Sequence, residues 1–329
     1  MLHAASRMST NSQALNTAAT SDEPVDAIRN HLALAFEAGM AIRESSSPLD
    51  HAVRELLANG GAMIRPQIAF ELSMSYGLPL ELATDLAVAI EYFHTASLVF
   101  DDLPCMDDAS TRRGGPCVHR KYGEATAILA ALALINRAYA LVWRAVDVCP
   151  AVCRRASLDY LEEQLGAQGL LQGQSLDLHY HALSGSVRSA EHVAGMKTVP
   201  LIALALVLPA MALAAPAREV QLLRRASLCW GMTYQLLDDL KDILHSEAEA
   251  GKTTARDAEL DRPNVALLLG LSAAVDRLSR WMCAGDSVLE ELVGSNPKLA
   301  FLRRFRGQLK AEFDRVMERA GATPIDCKR

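Results

Sequence analysis

The sequence predicts an all-α fold built as one large helical domain. Half of the 329 residues are hydrophobic, which is enough for a large buried core, while aromatic residues make up only 5%. Ala and Leu recur along the whole chain, and this composition favours helices over sheets. Apolar residues recur at helical spacing, and no convincing run alternates as a strand does. We therefore expect a single domain over residues 26–329.

The predicted helices follow from apolar periodicity and from the stop signals between them. Asn59-Gly60-Gly61 is such a stop, and Gly123 precedes a new helix. The predicted ranges are 26–42, 49–57, 80–102, 124–148, 157–181, 188–207, 218–243, 262–293 and 297–319. Residues 1–25 are rich in Ser, Thr, Asn and Ala and lack the apolar core of a secretory signal, so we expect a disordered leader.

One stretch approaches the length and hydrophobicity of a membrane span. Residues 199–216 read VPLIALALVLPAMALAAP. Pro200, Pro209 and Pro216 interrupt the stretch, and a proline inside a helix removes a hydrogen bond and bends the chain. The pattern favours two buried core helices joined at a bend, with no transmembrane segment.

Charge and cysteine usage exclude other classes of protein. The formal net charge is -6 with a pI near 5.9, so the basic excess that nucleic-acid binding requires is missing. The seven cysteines are odd in number and form no CxxC pair, which predicts free thiols in a reducing compartment rather than a zinc site. We expect a cytoplasmic protein that binds no nucleic acid.

An unusual acidic segment follows the apolar helix predicted over residues 80–102. Residues 97–115 read SLVFDDLPCMDDASTRRGG, and their charged side chains are Asp101, Asp102, Asp107, Asp108, Arg112 and Arg113. Ionised carboxylates against an apolar interior are costly unless a positive charge neutralises them. The two arginines, a metal ion, or both are candidates for that role.

A second acidic segment repeats the pattern. Residues 234–257 read YQLLDDLKDILHSEAEAGKTTARD, so Asp238, Asp239 and Asp242 end an apolar helix and Lys252 follows. On a helix Asp238 and Asp242 share a face, where like charges repel. One acidic run is usually a solvated helix end, but two such runs favour a shared site. Oxygen ligands without His or Cys suit Mg²⁺, and phosphate oxygens complete the coordination shell of this ion.

Several motifs over about residues 55–270 resemble the trans-isoprenyl diphosphate synthases, and most closely the bacterial geranylgeranyl diphosphate synthases. DDLPCMDDASTRRGGP is similar to the first aspartate-rich motif of that family, and YQLLDDLKD is similar to the second. MKTVPL at 196–201 and GQSLDL at 173–178 are similar to two further motifs. The resemblance implies the isoprenoid synthase fold, a single large bundle of helices around a central apolar cavity.

The resemblance also implies a reaction and its participants. The family condenses isopentenyl diphosphate head to tail with dimethylallyl, geranyl or farnesyl diphosphate. Three Mg²⁺ ions are expected with diphosphate bound, and a homodimer is expected. Ionisation of the allylic diphosphate gives a cation that the isopentenyl double bond attacks, after which a proton is lost. Metal ions neutralise the leaving group, and apolar helices exclude water.

Family roles transfer to matching positions of this sequence. The implied metal ligands are Asp101 and Asp107, supported by Asp102 and Asp108, and Asp238, backed by Asp239 and Asp242. Arg112, Lys197 and Lys252 are implied to hold the allylic diphosphate. Thr198 and Gln235 are implied to stand near the cation. Arg65, His94 and Arg113 are implied to bind isopentenyl diphosphate.

The sequence departs from the family in the segment that binds isopentenyl diphosphate. GGAMIRP at 60–66 has Ala62 and Met63 where the family has Lys and Arg. The enzyme then binds this substrate weakly, another cation substitutes, or the chain is a low-activity modulating subunit of a heteromeric synthase. A working enzyme is favoured because both metal motifs and both arginines are complete. A smaller departure is Arg262, where the family tends to have lysine.

Product length is predicted from the helix before the first aspartate. Ala96 lies five residues before Asp101, where family members that stop at farnesyl diphosphate usually carry an aromatic residue. Phe93 and Tyr92 lie one turn deeper and are predicted to form the floor. One turn is close to one isoprene unit, so a C20 product, geranylgeranyl diphosphate, is expected. Farnesyl diphosphate and a longer product are alternatives, as is a floor set by another helix.

Enzymes of another class also use a DDxxD motif. Class I terpene cyclases combine it with a second motif containing Asn, Ser and Glu. The second segment here is DDLKD, so cyclisation is disfavoured.

Overall fold

The computed structural model describes residues 23–40, 42, 47–183, 185–244 and 262–321. The described part of the chain is almost entirely helical, which confirms the all-α prediction. Its α-helices are α1 Glu23–Ala38, α2 Pro48–Ala58, α3 Ile64–Ser75, α4 Leu80–Asp101, α5 Val118–Tyr122, α6 Glu124–Asp147, α7 Ala151–Leu165, α8 Leu170–Leu178, α9 Val187–Ala212, α10 Ala217–Leu244, α11 Val265–Leu269, α12 Leu271–Ser295 and α13 Leu302–Ala320. Short 3₁₀ turns span Tyr180–Ala182 and Pro297–Phe301. A two-residue antiparallel hairpin pairs β1, Thr111–Arg112, with β2, Gly115–Pro116.

Helix α9 is the central element of the bundle. Residues 201–210 are all buried, and the helix contacts α3, α4, α7, α8 and α10. A helix that is apolar on every side needs partners all round it. Helix α4 packs chiefly on α6 and α3. The first acidic segment begins where α4 ends, at Asp101.

The bend predicted in residues 199–216 is wrong, because α9 runs through Pro200 and Pro209 to Ala212. Each proline removes one backbone donor. Burial of the surrounding apolar residues outweighs this loss, so one helix forms where two were expected.

Other helix boundaries differ from prediction for local reasons. Helix α3 was not predicted, because its buried residues 66–70 cover several faces rather than one stripe. The helix predicted over 157–181 is broken near Gly169, where a Cβ would lie 2.3 Å from the Glu163 carbonyl oxygen. The helix predicted from 262 is broken at Gly270, whose φ is 75°.

The ends of the chain and one cysteine also bear on the predictions. Helix α1 begins at Glu23, inside the predicted leader of residues 1–25, and the first 22 residues lie outside the described ranges.

Cys105, Cys117, Cys149, Cys153 and Cys229 are free, as expected. The expectation is wrong for Cys283, which is disulfide-bonded, because spacing in sequence does not show which thiols the fold brings together.

Two helices pass a length and hydropathy test for membrane spans. They are Glu124–Asp147 and Val187–Ala212, and their most apolar windows are 39% and 72% buried inside the protein. Core helices of soluble proteins pass the same test, and the burial of α9 is that of a core helix. Helix α6 differs, because much of its apolar surface is exposed.

Candidate active site

The first acidic segment forms a compact turn rather than a continued helix. Helix α4 ends at Asp101, and the chain folds back so that the amide of Asp107 donates to the carbonyl of Asp101 at 2.9 Å. The amide of Asp108 donates to the carbonyl of Leu103 at 3.0 Å, with φ of Asp108 at 46°. The turn therefore returns Asp107 to the end of α4, which helical spacing alone does not.

The two adjacent aspartates at the end of α4 have different surroundings. Burial raises the pKa of Asp101 to about 6; Lys197 opposes this shift, and Asp107 and Asp177 add to it. Asp102 is buried, and its Oδ1 accepts from Nε and Nη2 of Arg112 at 3.0 and 2.6 Å. Asp101 thus belongs to a carboxylate cluster with Asp107 and Asp177, whereas Asp102 holds Arg112. The supporting metal role of Asp102 stays a prediction.

The β-hairpin sends its two arginines in different directions. Arg113 has φ of 52° and Gly114 has φ of 78°, so the turn is left-handed at both residues. Nη1 of Arg113 donates to the carbonyl of Asn59 at 2.6 Å. Its Nη2 lies 3.5 Å from Oε1 of Glu91. The two arginines therefore contact two neighbouring regions, and their binding of different substrates stays a prediction.

Glu91 organises the residues predicted to bind isopentenyl diphosphate. It is buried, and it accepts from the backbone amide of Gly61 besides its contact with Arg113. Burial raises the pKa of this carboxyl, and the positive charges of Arg113 and Arg65 oppose the shift. We did not predict Glu91; the available signal was a charged residue inside the apolar run of α4.

Arg65 and His94 meet beside this carboxylate. Nη1 of Arg65 lies 3.4 Å from Nε2 of His94, and the guanidinium carbon lies 5.7 Å from the ring centre of Tyr234. Burial and then Arg65 and Arg113 lower the pKa of His94 well below its usual value, so the imidazole is neutral. His94 Nδ1 and Arg65 Nε are buried without hydrogen-bond partners in the described structure. A polar ligand satisfies such groups.

The two departures from the family differ in their surroundings. Ala62 is exposed, so a longer side chain is accommodated there. Met63 is buried in the core with φ of 56°, and its methyl group lies 2.4 Å from where a Cβ on Gly60 would stand. A cation at position 63 would lie in this apolar environment, whereas a cation at position 62 would lie at the surface.

Lys197 joins the carboxylate cluster from helix α9. Its Nζ donates to Oδ2 of Asp177 at 2.8 Å. Burial lowers the pKa of Lys197, but Asp101, Asp177 and Asp107 raise it more, so the ammonium is retained. Gly173 permits the approach, because a Cβ there would lie 2.5 Å from the carbonyl carbon of Met196. Asp177 was quoted in its motif, but no role was assigned to it.

A chain of hydrogen bonds links Thr198 to the second acidic segment. Thr198 Oγ1 donates to Oε1 of Gln235 at 2.5 Å, and Nε2 of Gln235 donates to Oδ1 of Asp239 at 2.8 Å. The other Asp239 oxygen accepts from the amide of Val265 at 2.8 Å. Asp239 is buried, and through these bonds it anchors α11 and orients Gln235. Its supporting metal role stays a prediction.

Four further residues were predicted for the site. Asp238 and Asp242 are half-buried on the same helix, α10. Asp108 pairs with Arg120 at 2.7 Å. Lys252 lies outside the described residues.

The carboxylates of the acidic segments suit Mg²⁺ when diphosphate oxygens complete the coordination shell of the ion. Within the described ranges, no group of three or more His, Cys, Asp or Glu side chains could hold a metal ion by itself. Burial chiefly raises the pKa of Asp101, Lys197 opposes this shift, and the negative charges of Asp107 and Asp177 add to it, so the site contains clustered carboxylates that a further cation would stabilise. Carboxylate oxygens are the protein ligands that Mg²⁺ uses together with phosphate oxygens.

A cavity of about 230 Å³ lies between α2, α4 and the hairpin. Arg112, Arg113, Asn59 and Thr95 are among the residues that line it. Thr95 Oγ1 is buried and makes no hydrogen bond in the described structure. Glu55 and Asp102 also line the cavity, so its two arginines are balanced by two carboxylates.

The residues predicted to limit product length lie on α4 below the acidic turn. Ala96 is fully buried, and Phe93 meets Tyr139 of α6 edge to face at 5.0 Å. Tyr92 packs on Phe36, and its hydroxyl donates to the Phe36 carbonyl at 2.8 Å. Tyr92 is therefore committed to the contact between α4 and α1, and the predicted floor depends on Phe93.

Comparison with known proteins agrees with this geometry. A family model described as polyprenyl synthetase matches residues 46–288. The chain belongs to the polyprenyl synthetase family. It is a prenyltransferase of isoprenoid biosynthesis that condenses isopentenyl diphosphate with allylic diphosphates.

Two curated relatives differ in their named products. A geranylgeranyl diphosphate synthase of Pseudescherichia vulneris is 34% identical over 266 residues, covering 80% of this chain and 83% of that protein. A farnesyl diphosphate synthase of Bacillus subtilis (strain 168) is 32% identical over 223 residues, covering 68% of this chain and 75% of that protein. Both relatives support the polyprenyl synthetase family, but their different products leave the product length of this chain undetermined.

A solved structure shows the same fold. A geranyltransferase from Helicobacter pylori, complexed with magnesium and isoprenyl diphosphate, superposes with a TM-score of 0.74 at 27% identity. The match covers 92% of this prenyltransferase and 100% of that chain. The prediction of the isoprenoid synthase fold is confirmed.

Proposed function

We propose that this prenyltransferase is a geranylgeranyl diphosphate synthase. The observation that carries the proposal is the meeting of Asp101, Asp107 and Lys197 at the end of α4, directly above the small Ala96 and the larger Phe93 on the same helix. The charged end suits a diphosphate and the apolar face below it suits a hydrocarbon chain. With no aromatic side chain at position 96, the chain extends to Phe93, which favours C20.

The proposed roles follow the geometry. Asp101, Asp107 and Asp238 would hold Mg²⁺, with three ions expected, and the bound ions would supply positive charge to the leaving diphosphate. Arg112 and Lys197 bind that diphosphate, each oriented by a carboxylate, Asp102 and Asp177 respectively. Thr198 and Gln235 direct their oxygens from adjoining helices toward the developing cation. The buried apolar residues of α4 and α9 exclude water from it.

The second substrate is held beside Glu91. Arg65, Arg113 and neutral His94 supply donors to the diphosphate of isopentenyl diphosphate. The double bond of isopentenyl diphosphate attacks the allylic cation and forms the new C–C bond. The resulting cation then loses a proton to the departing diphosphate. That diphosphate is the base because the surrounding helices present apolar side chains.

Two other functions have specific support. Phe93 limits the product to C20 only if its ring forms the floor of the passage that holds the hydrocarbon chain. A shorter passage would stop the product at C15, and the protein would then be a farnesyl diphosphate synthase. The replacement of the family lysine by Ala62 supports a low-activity modulating subunit, because one charge-assisted contact with isopentenyl diphosphate is lost. Such a contact contributes about 1.5–3 kcal/mol, or roughly ten- to a hundred-fold in affinity.

We further propose a cytoplasmic homodimer formed through helix α6. Its exposed face carries Leu129, Leu132, Tyr139 and Trp143, each about half exposed. These positions are spaced as one helical stripe. An apolar stripe of this kind is stabilised when a second copy covers it.

Product analysis tests the proposed function. Purified protein is incubated with Mg²⁺, labelled isopentenyl diphosphate, and dimethylallyl, geranyl or farnesyl diphosphate. We expect a C20 product that Asp101→Ala and Asp238→Ala abolish and that Asp159→Ala, an exposed carboxylate of α7, leaves unchanged. A C15 product would instead identify a farnesyl diphosphate synthase.

The same assay distinguishes the modulating subunit. A folded protein that makes no product from any starter would overturn the proposal of an active synthase. Ala62→Lys is then the informative repair, because position 62 is exposed whereas Met63 is buried. Activity restored by this single change would locate the defect in the lost cation.

A further inference from the structure

Arg262 contacts the first acidic segment from the far side of the site. It lies 155 residues from Asp107 in sequence, just before α11, and its side chain is only 9% exposed. Nη2 donates to the carbonyl of Met106 at 2.9 Å, and Nη1 donates to the carbonyl of Asp177 at 3.1 Å. One guanidinium thus joins the acidic turn to the end of α8.

The same residue is tied to the second acidic segment. Val265, three residues after Arg262, donates its amide to buried Asp239. Asn264 between them is also buried, and its side-chain amide lies 3.4 Å from the carbonyl of Asp239. Arg262 therefore lies on a short segment anchored to the second acidic segment and reaches across to the first.

The distances show which groups Arg262 holds. Its hydrogen bond to the Met106 carbonyl is 2.9 Å, whereas its contact with Oδ1 of Asp107 is 3.3 Å. Arg262 thus holds the turn both through the Met106 carbonyl and through the neighbouring carboxylate of Asp107.

Lysine does not reproduce this arrangement. The planar guanidinium presents two nitrogens in a fixed fork, which here bind carbonyls on two different elements. An ammonium is a single point charge on a flexible stem and lacks that geometry. The charge is kept by Arg262→Lys, so this variant separates the fork from the charge.

We propose that Arg262 is a positioning residue that joins the two acidic segments and holds the turn at 103–109 in the geometry that diphosphate and its metal ions require. This role rests on the proposed function for its effect on turnover. It predicts that the site is organised before substrate binds, because the contacts of Arg262 are made to the protein itself.

Hydrogen exchange of the ligand-free protein tests the proposal directly. The amides of residues 106–109 all donate within the turn, so their exchange reports opening of the turn. Losing one carbonyl bond in Arg262→Lys should make them exchange about ten-fold faster. Arg306→Lys is the matched control, because Arg306 also makes a two-nitrogen contact, with Asp286, between α12 and α13. It should leave the turn unchanged.

Kinetics supply the second measurement. In Arg262→Lys we expect the Mg²⁺ concentration for half-maximal activity and the KM for the allylic diphosphate to rise about ten-fold, with kcat at saturation within about two-fold of the parent. Unchanged exchange at 106–109, or acceleration spread evenly over the whole chain, overturns the proposal. If the parent protein makes no product, the proposed function fails, and the exchange measurement still decides whether Arg262 holds the turn.

Discussion

Adjacent aspartates in the two acidic segments have opposite environments. Asp101 belongs to the carboxylate cluster and Asp238 is half-buried, whereas Asp102 and Asp239 are buried and accept hydrogen bonds from the protein. The reason is geometric, because consecutive residues of a helix point about 100° apart. A DD pair therefore places one carboxylate in the site and uses the other to fix the elements around it.

Replacing the two members of the second pair should have separable effects. Asp239→Ala leaves the amide of Val265 and the side chain of Gln235 without their acceptor. Each buried donor left unpaired costs about 1–3 kcal/mol, so thermal unfolding should shift down by several degrees. Asp238→Ala should abolish turnover while the unfolding temperature stays within about 2 °C. Equal unfolding temperatures for the two variants would contradict the division of roles.

Glu91 should affect one substrate and not the other. Glu91→Gln removes the charge that faces Arg113 and lies near Arg65, so the two cations lose their alignment. We expect the KM for isopentenyl diphosphate to rise about ten-fold, with little change in kcat or in the KM for the allylic substrate. Steady-state kinetics with each substrate varied in turn measure this. A parallel rise in both KM values would show that Glu91 stabilises the bundle generally.

At the scale of elements, close approach of helices α8 and α9 brings Asp177 to Lys197. Gly173 has no room for a Cβ, since Met196 and Lys197 backbone atoms would lie 2.5 to 2.7 Å from it. Pro200 lies one turn after Met196 within α9, so the Met196 carbonyl lacks its usual helical donor at the same contact. Two departures from ideal helix sequence thus meet beside Lys197, the lysine proposed to bind diphosphate.

Gly173→Ala should disturb the site through this contact. The added methyl meets backbone, which cannot rotate away, so the two helices must separate. Overpacking of this kind costs about 1–3 kcal/mol, and activity should fall with it. Gly294→Ala is the control, because Gly294 lies in helix α12 with nothing within 4 Å of the added carbon. Alanine there should stabilise by about 0.5–1 kcal/mol, and chemical denaturation of both variants measures the contrast.

The apolar face of α4 determines the expected product. Ala96→Tyr fills the space above Phe93, so the product should shorten toward C15. Phe93→Ala removes the ring that meets Tyr139, so products longer than C20 should appear. Chromatography of the labelled products gives both results. Unchanged C20 from Ala96→Tyr would show that another helix forms the floor.

At the scale of the whole molecule, helix α6 presents an apolar stripe to solvent. Leu132 and Leu129 are about half exposed, and α6 passes the hydropathy test for a membrane span although it is only partly buried. A subunit interface accounts for such a stripe, because covering it removes apolar area from water.

A charge on this stripe should separate the subunits. Leu132→Glu would place a carboxylate in the proposed interface, where desolvation is costly. Light scattering should then show a monomer, while Leu34→Glu, on the exposed side of α1, should leave the dimer intact. A dimer that persists in Leu132→Glu would show that another surface forms the interface.

The sequence by itself determined the fold class and predicted most members of the candidate site. Helical periodicity and composition predicted the all-α bundle, because burial of apolar faces drives helix packing. Residue type and spacing indicated the two acidic segments, and the resemblance to the family implied the roles of Arg65, His94, Lys197, Thr198 and Gln235. The departure at position 62 was also visible without a structure.

Only the tertiary structure decided which of these residues work together. The hydrogen bonds from Arg112 distinguish Asp102 from Asp101, and Glu91 and Arg262 acquire roles only through contacts with residues far away in sequence. Likewise, Met63 is a core residue and Tyr92 packs on α1. Local patterns report which face of a helix is apolar, but the partner of a buried polar group depends on how helices distant in sequence are packed, which local patterns do not encode.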